Sequence, residues 1–154
     1  MKKIKIIIDG SNVAFAIRDA KKKPKVHNLE LIIDFLIKLS ENFPIEFSII
    51  IDASLRHRID LKSKLEELER VGKVIQTPCN HTADEFIIEY ARRHPEETII
   101  ISNDRFPEFN TENLSQCNFM IVFDEIIIKP SLKHIFELKS NQITQARQIN
   151  VCKI

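Results

Sequence analysis

Five short apolar runs constrain the fold most: Ile4 to Ile8, Ile45 to Ile51, Val74 to Gln76, Thr98 to Ile101 and Asn118 to Phe123. They are rich in isoleucine and valine and alternate little with polar residues. A strand with one wet face alternates, whereas a strand buried on both faces does not, so these runs predict a sheet covered by helices on each side. Helical patterns fill the gaps. Asn28 is placed to cap Leu29 to Leu39. Asp60 is placed to cap Leu61 to Val71, with Gly72 as a stop. Thr82 and Glu85 have the spacing of a capping box for a helix that reaches Arg93 before Pro95. Alternating strands and helices predict a three-layer α/β/α, Rossmann-like domain with a central, mostly parallel sheet.

The length of 154 residues fits one domain with a substantial core. Segment 102 to 117 is polar, is interrupted by Pro107 and reads as a loop. Ser131 is placed to cap a late helix to Leu138, after which no clear period is visible. The expected division is a domain over 1–138 and a C-terminal extension over 139–154, free to dock on the body, pair with another copy or stay loose. No repeat, low-complexity segment or linker marks a second domain.

Formal charge is +1, which excludes a bulk polyanion-binding character, although basic residues gather in Lys21-Lys22-Lys23-Pro24-Lys25, Arg56-His57-Arg58 and Arg92-Arg93-His94. Cys79, Cys117 and Cys152 are odd in number and widely spaced, which argues against a disulfide framework or a zinc module and fits a reducing cytoplasm. No apolar stretch approaches the roughly 18 residues of a membrane span, and no export leader is apparent.

Of the runs that stop at acids, two carry the main candidates. Ile8 is followed by Asp9-Gly10-Ser11-Asn12, and Ile101 by Ser102-Asn103-Asp104. In open parallel sheets, ligands bind beyond the carboxyl ends of the strands, so Asp9 and Asp104 belong at such an edge. Asp84 falls in the first turn of its helix, where a carboxylate serves the helix dipole equally well. Glu108, four residues past Asp104, reaches the same cluster if the chain turns there. Converging carboxylates repel unless a cation binds, and hard oxygen ligands of this kind suit Mg²⁺ or Mn²⁺. Asn12 and Ser102 add neutral hydrogen-bonding groups, although Ser11 and Asn12 equally cap the helix that begins there. Asp52, at the end of another run, is a secondary candidate. Arg56, Arg58 and Arg105 are basic neighbours able to grip a phosphate backbone.

These strings resemble a known family, the PIN-like ribonucleases of the NYN type, and within it the nuclease domain of the CCCH zinc-finger (Regnase-type) ribonucleases. The resemblance runs through most of residues 4 to 138. It rests on Ile8-Asp9-Gly10-Ser11-Asn12-Val13-Ala14, Gln76-Thr77-Pro78, Asp84-Glu85-Phe86-Ile87 and Ser102-Asn103-Asp104 with Glu108 beyond. It implies a metal-dependent endoribonuclease that hydrolyses single-stranded RNA, with Asp9, Asp84, Asp104 and Glu108 as Mg²⁺ or Mn²⁺ ligands and Asn12 and Ser102 supporting them. It also implies a homodimer or an inhibitory protein partner. Lys21, Lys22, Lys23, Lys25, Arg56, Arg58 and Arg105 are the candidates for RNA contact.

Two departures stand out: Ala83 occupies a position where the Regnase type has a second aspartate, and Glu108 one where an aspartate is expected. A non-catalytic RNA-binding or interaction module on the same fold is the competing reading. An aspartyl-phosphate phosphatase would need a second acid where Ser11 stands. A receiver domain would need adjacent acids in place of Asp9-Gly10. Dinucleotide binding would need a G-x-G-x-x-G turn that follows no strand here.

Overall fold

A computed structural model describes residues 2–17 and 20–151 and shows one six-stranded sheet in the order β3-β2-β1-β4-β5-β6. The strands are β1 (Ile4–Asp9), β2 (Ile45–Ile51), β3 (Val74–Gln76), β4 (Thr98–Ile101), β5 (Ser115–Val122) and β6 (Glu125–Lys129). The helices are α1 (Gly10–Ala14), α2 (Val26–Ser40), α3 (Lys62–Arg70), α4 (Ala83–Arg93) and α5 (Leu132–Val151), with a 3₁₀ turn over Ala53–His57. All neighbours pair in parallel except β5 and β6.

The isoleucine runs divide by parity between two cores. Ile6, Ile8, Ile49, Ile51, Ile99 and Ile101 face a large core shared with Val13, Leu29, Ile32, Leu36, Leu65, Ile135 and Phe136. Ile7, Ile50 and Ile100 face the other side, against Ala83, Ile87, Ile88 and Ala91 of α4 and against Phe106. Burial on both faces is the physical reason these strands do not alternate. The sheet order reverses at β1, with β2 on one side and β4 on the other. The crevice beyond the carboxyl ends of β1 and β4 is therefore a topological switch point, where an open sheet leaves room for a ligand.

Four elements differ from expectation. Asp60 does not cap α3, whose N-cap is Leu61 without a side-chain hydrogen bond; its carboxylate accepts instead from the Val26 and Leu61 N–H groups at 3.0 and 2.8 Å. Asn28 lies inside α2 rather than at its start, and its amide nitrogen donates to the carbonyls of Ala14 and Ile17, each at 3.0 Å. The polar stretch ends at Ser115, where β5 begins, and β5 is continued by a sixth strand across a two-residue turn. The last helix continues well past Leu138 to Val151. Its inner face holds Leu132, Ile135 and Phe136 in the core, and Lys139 donates to the carbonyls of Pro95 and Glu96 at 3.0 and 3.1 Å. Burial lowers the pKa of that lysine. Residues 152–154 of the expected extension lie outside the described residues.

Gly10 packs its backbone closely against β2. A Cβ there would sit 2.6 Å from the γ2 methyls of both Ile49 and Ile51 and 2.9 Å from the Ile50 carbonyl oxygen. These are branched, fully buried neighbours with little room to yield. Gly10→Ala is expected to lower stability by about 1–3 kcal/mol through overpacking. A shift of the urea midpoint checks this; an unchanged midpoint would show that α1 can lift off β2 without cost.

Candidate metal centre

Asp9 closes β1 and at the same time caps α1. One carboxylate oxygen accepts from the Asn12 backbone N–H at 3.2 Å, and the other accepts from the Ser102 hydroxyl at 2.9 Å. Only 4% of the residue is exposed, and Ser102 is fully buried. The Ser102 oxygen also accepts from the Asp104 backbone N–H at 3.0 Å, which sets the direction of the chain leaving β4. From the β1 side, the Asn12 side-chain oxygen accepts from the Asn103 backbone N–H at 2.8 Å. The ends of β1 and β4 are thus joined by side chains where the ladder stops.

Asn103 and Gln116, absent from the set expected from sequence, hold the other side of this loop. The Asn103 amide donates to the Phe119 carbonyl at 2.8 Å and accepts from the Phe119 N–H at 2.9 Å. Gln116 donates to the carbonyls of Ser102 and Asp104 at 2.9 and 2.6 Å. Both act on backbone groups brought near only by the β4–β5 pairing, so no local motif could have marked them. Phe106, at φ 49° and buried in the smaller core, anchors the chain just beyond.

Asp84 reaches the same place from α4. Thr82 and Glu85 form the predicted capping box, and the Ala83 N–H donates to Asp52 at 2.7 Å. The first turn is therefore satisfied without Asp84, whose carboxylate accepts no hydrogen bond among the described residues. Asp52, the secondary candidate, is occupied as this helix cap. Oxygens of Asp9, Asp84 and Asp104 all lie within 4.8 Å of one another. Glu108 is exposed and outside that trio, but its charge is close enough to raise the Asp84 pKa.

At 4.8 Å and an effective dielectric constant of about 20, two full negative charges repel by roughly 3–4 kcal/mol. Among the described residues no lysine, arginine or histidine forms an ion pair with any of the three. Burial, opposed by the hydrogen bonds from Asn12 and Ser102 and reinforced by the charges of Asp84 and Asp104, raises the Asp9 pKa from 3.8 to about 6. Asp84 is also raised to about 6, chiefly by burial and then by Asp104, Asp52 and Glu108. A three-carboxylate set crowded together without a protein cation fits a hard divalent ion and its waters.

Two of the three basic strings lie on the connections that follow the first and second strands. Lys21, Lys22 and Lys23 are exposed and Lys25 half-buried, in the connection from α1 to α2. That segment is stitched to the one carrying Arg56 and Arg58: the Asp60 N–H donates to the Pro24 carbonyl at 3.1 Å, and the Val26 N–H donates to the Asp60 carboxylate at 3.0 Å. Arg56 is held by Glu69 at 3.0 Å, and the Arg58 guanidinium lies 4.6 Å from the centre of the Phe15 ring. Arg105 is exposed beside Asp104. Arg92 and Arg93 are engaged on α4 with the Asn110 carbonyl and with Glu89.

The raised Asp9 pKa has a consequence for stability. A carboxyl that binds its proton more tightly when folded stabilises the protein most at low pH, and this contribution is lost as pH rises from about 4 through about 6. Asp9→Asn mimics the protonated acid. In EDTA at neutral pH it is expected to be about 1–3 kcal/mol more stable than the parent, an advantage that fades toward pH 4. Denaturant titrations across that range check it; a variant less stable at neutral pH would mean that Asp9 is charged at no net cost.

No curated protein sequence matches this one significantly. Among solved structures, two of nuclear protein-only RNase P 2 (PRORP2) from A. thaliana superpose with TM-scores of 0.60 at 16% identity. They cover 80% and 83% of this chain and 29% and 30% of theirs. This chain thus spans about three-tenths of that protein, and the likeness is one of fold. The PIN domain endonuclease Utp24 superposes with a TM-score of 0.40 at 16% identity, over 82% of this chain and 92% of its own. The sequence profile of one family, however, extends over residues 2–146, nearly the whole chain. With the sheet order and the strand-end acids in place, the chain belongs to the Zc3h12a-like ribonuclease NYN domain family.

Proposed function

We propose that this protein is a divalent-metal-dependent endoribonuclease acting on single-stranded RNA. The observation that carries the reading is the convergence of Asp9, Asp84 and Asp104 within 4.8 Å at the switch point of the sheet, in a member of a ribonuclease family. In this reading Asp9, Asp84 and Asp104 hold Mg²⁺ or Mn²⁺, and Glu108, at the exposed rim, orients the attacking water or assists a second ion. When bound, such an ion activates water as a nucleophile and neutralises charge on the scissile phosphate.

The protein's own part is positioning. Ser102 and Asn12 fix the orientation of the Asp9 carboxylate and the loop that carries Asp104, so these groups are oriented before substrate arrives. Lys21, Lys22, Lys23 and Lys25 with Arg58 form the candidate track for the RNA backbone, with Arg105 at the site itself. Arg56, committed to Glu69, supports that track more by anchoring than by touching RNA. The catalytic unit is taken as 1–138 and 139–154 as an extension that docks through its first residue, Lys139, the last buried position of α5 among the described side chains. A cytoplasmic setting is consistent with Cys79 and Cys117 as free thiols. No helix among the described residues is long and apolar enough to cross a membrane.

Incubating the protein with end-labelled single-stranded RNA in Mn²⁺, Mg²⁺ or EDTA tests the proposal. Cleavage is expected with either metal, abolished by EDTA and reduced about 10²-fold or more in Asp9→Asn and in Asp104→Asn. Retention of RNA without cleavage would replace the enzyme by a binding module. For the basic track, Lys22→Glu with Lys23→Glu is expected to weaken RNA binding and to flatten its logarithmic salt dependence by about 0.7 for each phosphate no longer neutralised. An unchanged slope would move the RNA path elsewhere.

A further inference from the structure

The outermost strand has a charge pattern that is complementary to itself. β6 reads Glu125-Ile126-Ile127-Ile128-Lys129, an acid and a base at equal distances from a central isoleucine. It is joined to β5 by Phe123 and Asp124, both left-handed at φ 48° and 60°, the geometry of a tight hairpin turn. Such a two-residue turn makes Val122 and Glu125 a hydrogen-bonded pair, and antiparallel alternation makes Met120 and Ile127 the next one. Ile126 and Ile128 must then turn their N–H and C=O groups away from β5. Because β6 ends the sheet, those groups point to its open edge, and no other described element pairs with them.

The side chains along this edge are unusually apolar. Phe119 and Ile128 are buried in the main core, but the opposite face of the hairpin is uncovered: Met120 is 52% exposed and Ile127 37%, with Phe123 at the turn 97% exposed. Natural edges are ordinarily blunted by a proline, a bulge or an inward-facing charge. Here the only charges within the strand are those at its two ends.

We propose that this edge pairs with the same edge of a second copy of the chain, antiparallel about a twofold axis at Ile127. Position 127 + k then faces 127 − k. Ile126 and Ile128 face the partner's Ile128 and Ile126 and exchange four backbone hydrogen bonds. Glu125 faces the partner's Lys129 and Lys129 the partner's Glu125, two opposite-charge cross-strand pairs. A shift of the register by two residues would break this matching. The same register sets the apolar row Met120, Ile127 and their two counterparts side by side, and brings the exposed Phe123 toward the end of the partner's strand. The charge symmetry selects a second copy over an unrelated strand, since any other partner would have to supply the same spacing independently.

Sedimentation velocity across micromolar to sub-millimolar protein tests this. The parent is expected to dimerise reversibly. Glu125→Lys alone and Lys129→Glu alone, each placing two like-charge pairs across the axis, are expected to weaken the dimer by about 10- to 30-fold. The double variant Glu125→Lys with Lys129→Glu restores opposite pairing and is expected to recover dimerisation, a rescue that a misfolded variant cannot give. A parent that stays monomeric, or a dimer that neither single change weakens or the double change fails to restore, would overturn the proposal.

Discussion

The hydrogen bond from the Ser102 hydroxyl to the Asp9 carboxylate organises the acidic edge of this domain. It closes the gap between β1 and β4 at the point where their backbone ladder ends and the sheet order reverses. Because the same serine oxygen accepts the Asp104 N–H, the bond fixes two strand-end carboxylates relative to one another. Asn12 and Asn103 repeat the stitch one step outward, and Gln116 ties the loop down from β5. The arrangement is costly for Asp9. The two bonds it accepts do not offset its burial, and its pKa stays high. A fold selected for stability alone has no use for a buried acid opposed by two others, which is why perturbed carboxyls gathered at a strand edge point to function.

The third carboxylate comes from the opposite face of the sheet. α4 lies on the smaller core, and its start is fixed by Thr82, Glu85 and Asp52 without help from Asp84. The helix therefore delivers Asp84 to the crevice as a group with no structural task of its own. The departure at Ala83 has a physical reading here. Its side chain is buried in the smaller core and its N–H is bound to Asp52, so an aspartate at that position would have to be desolvated beside another acid.

Much of this was legible in the sequence because burial on both faces leaves a direct trace. β2, β3 and β4 appear in the structure with the limits their apolar runs suggested, and β1 extends by the one residue, Asp9, that begins the site. The capping box of α4 was equally plain, since its chemistry is local. β6 was hidden because its turn, Phe123-Asp124, holds left-handed geometry without the glycine that ordinarily marks it. The long α5 was hidden for another reason: beyond Lys139 its described side chains are exposed, so no apolar period is needed to sustain it. Within the site, strand-end acids could be found by position, but Asn103 and Gln116 could not. Their partners are backbone groups that meet only after β4 and β5 have paired.

If the three carboxylates form one divalent-metal site, Mn²⁺ binding reports on it without requiring a substrate. Titration followed by electron paramagnetic resonance of free and bound Mn²⁺, at neutral pH, is the most direct measurement. Tight binding is expected for the parent and is expected to disappear in Asp9→Asn, Asp84→Asn and Asp104→Asn while each variant stays folded. Binding that survives all three substitutions, or no binding by the parent at millimolar Mn²⁺, would contradict a shared metal site.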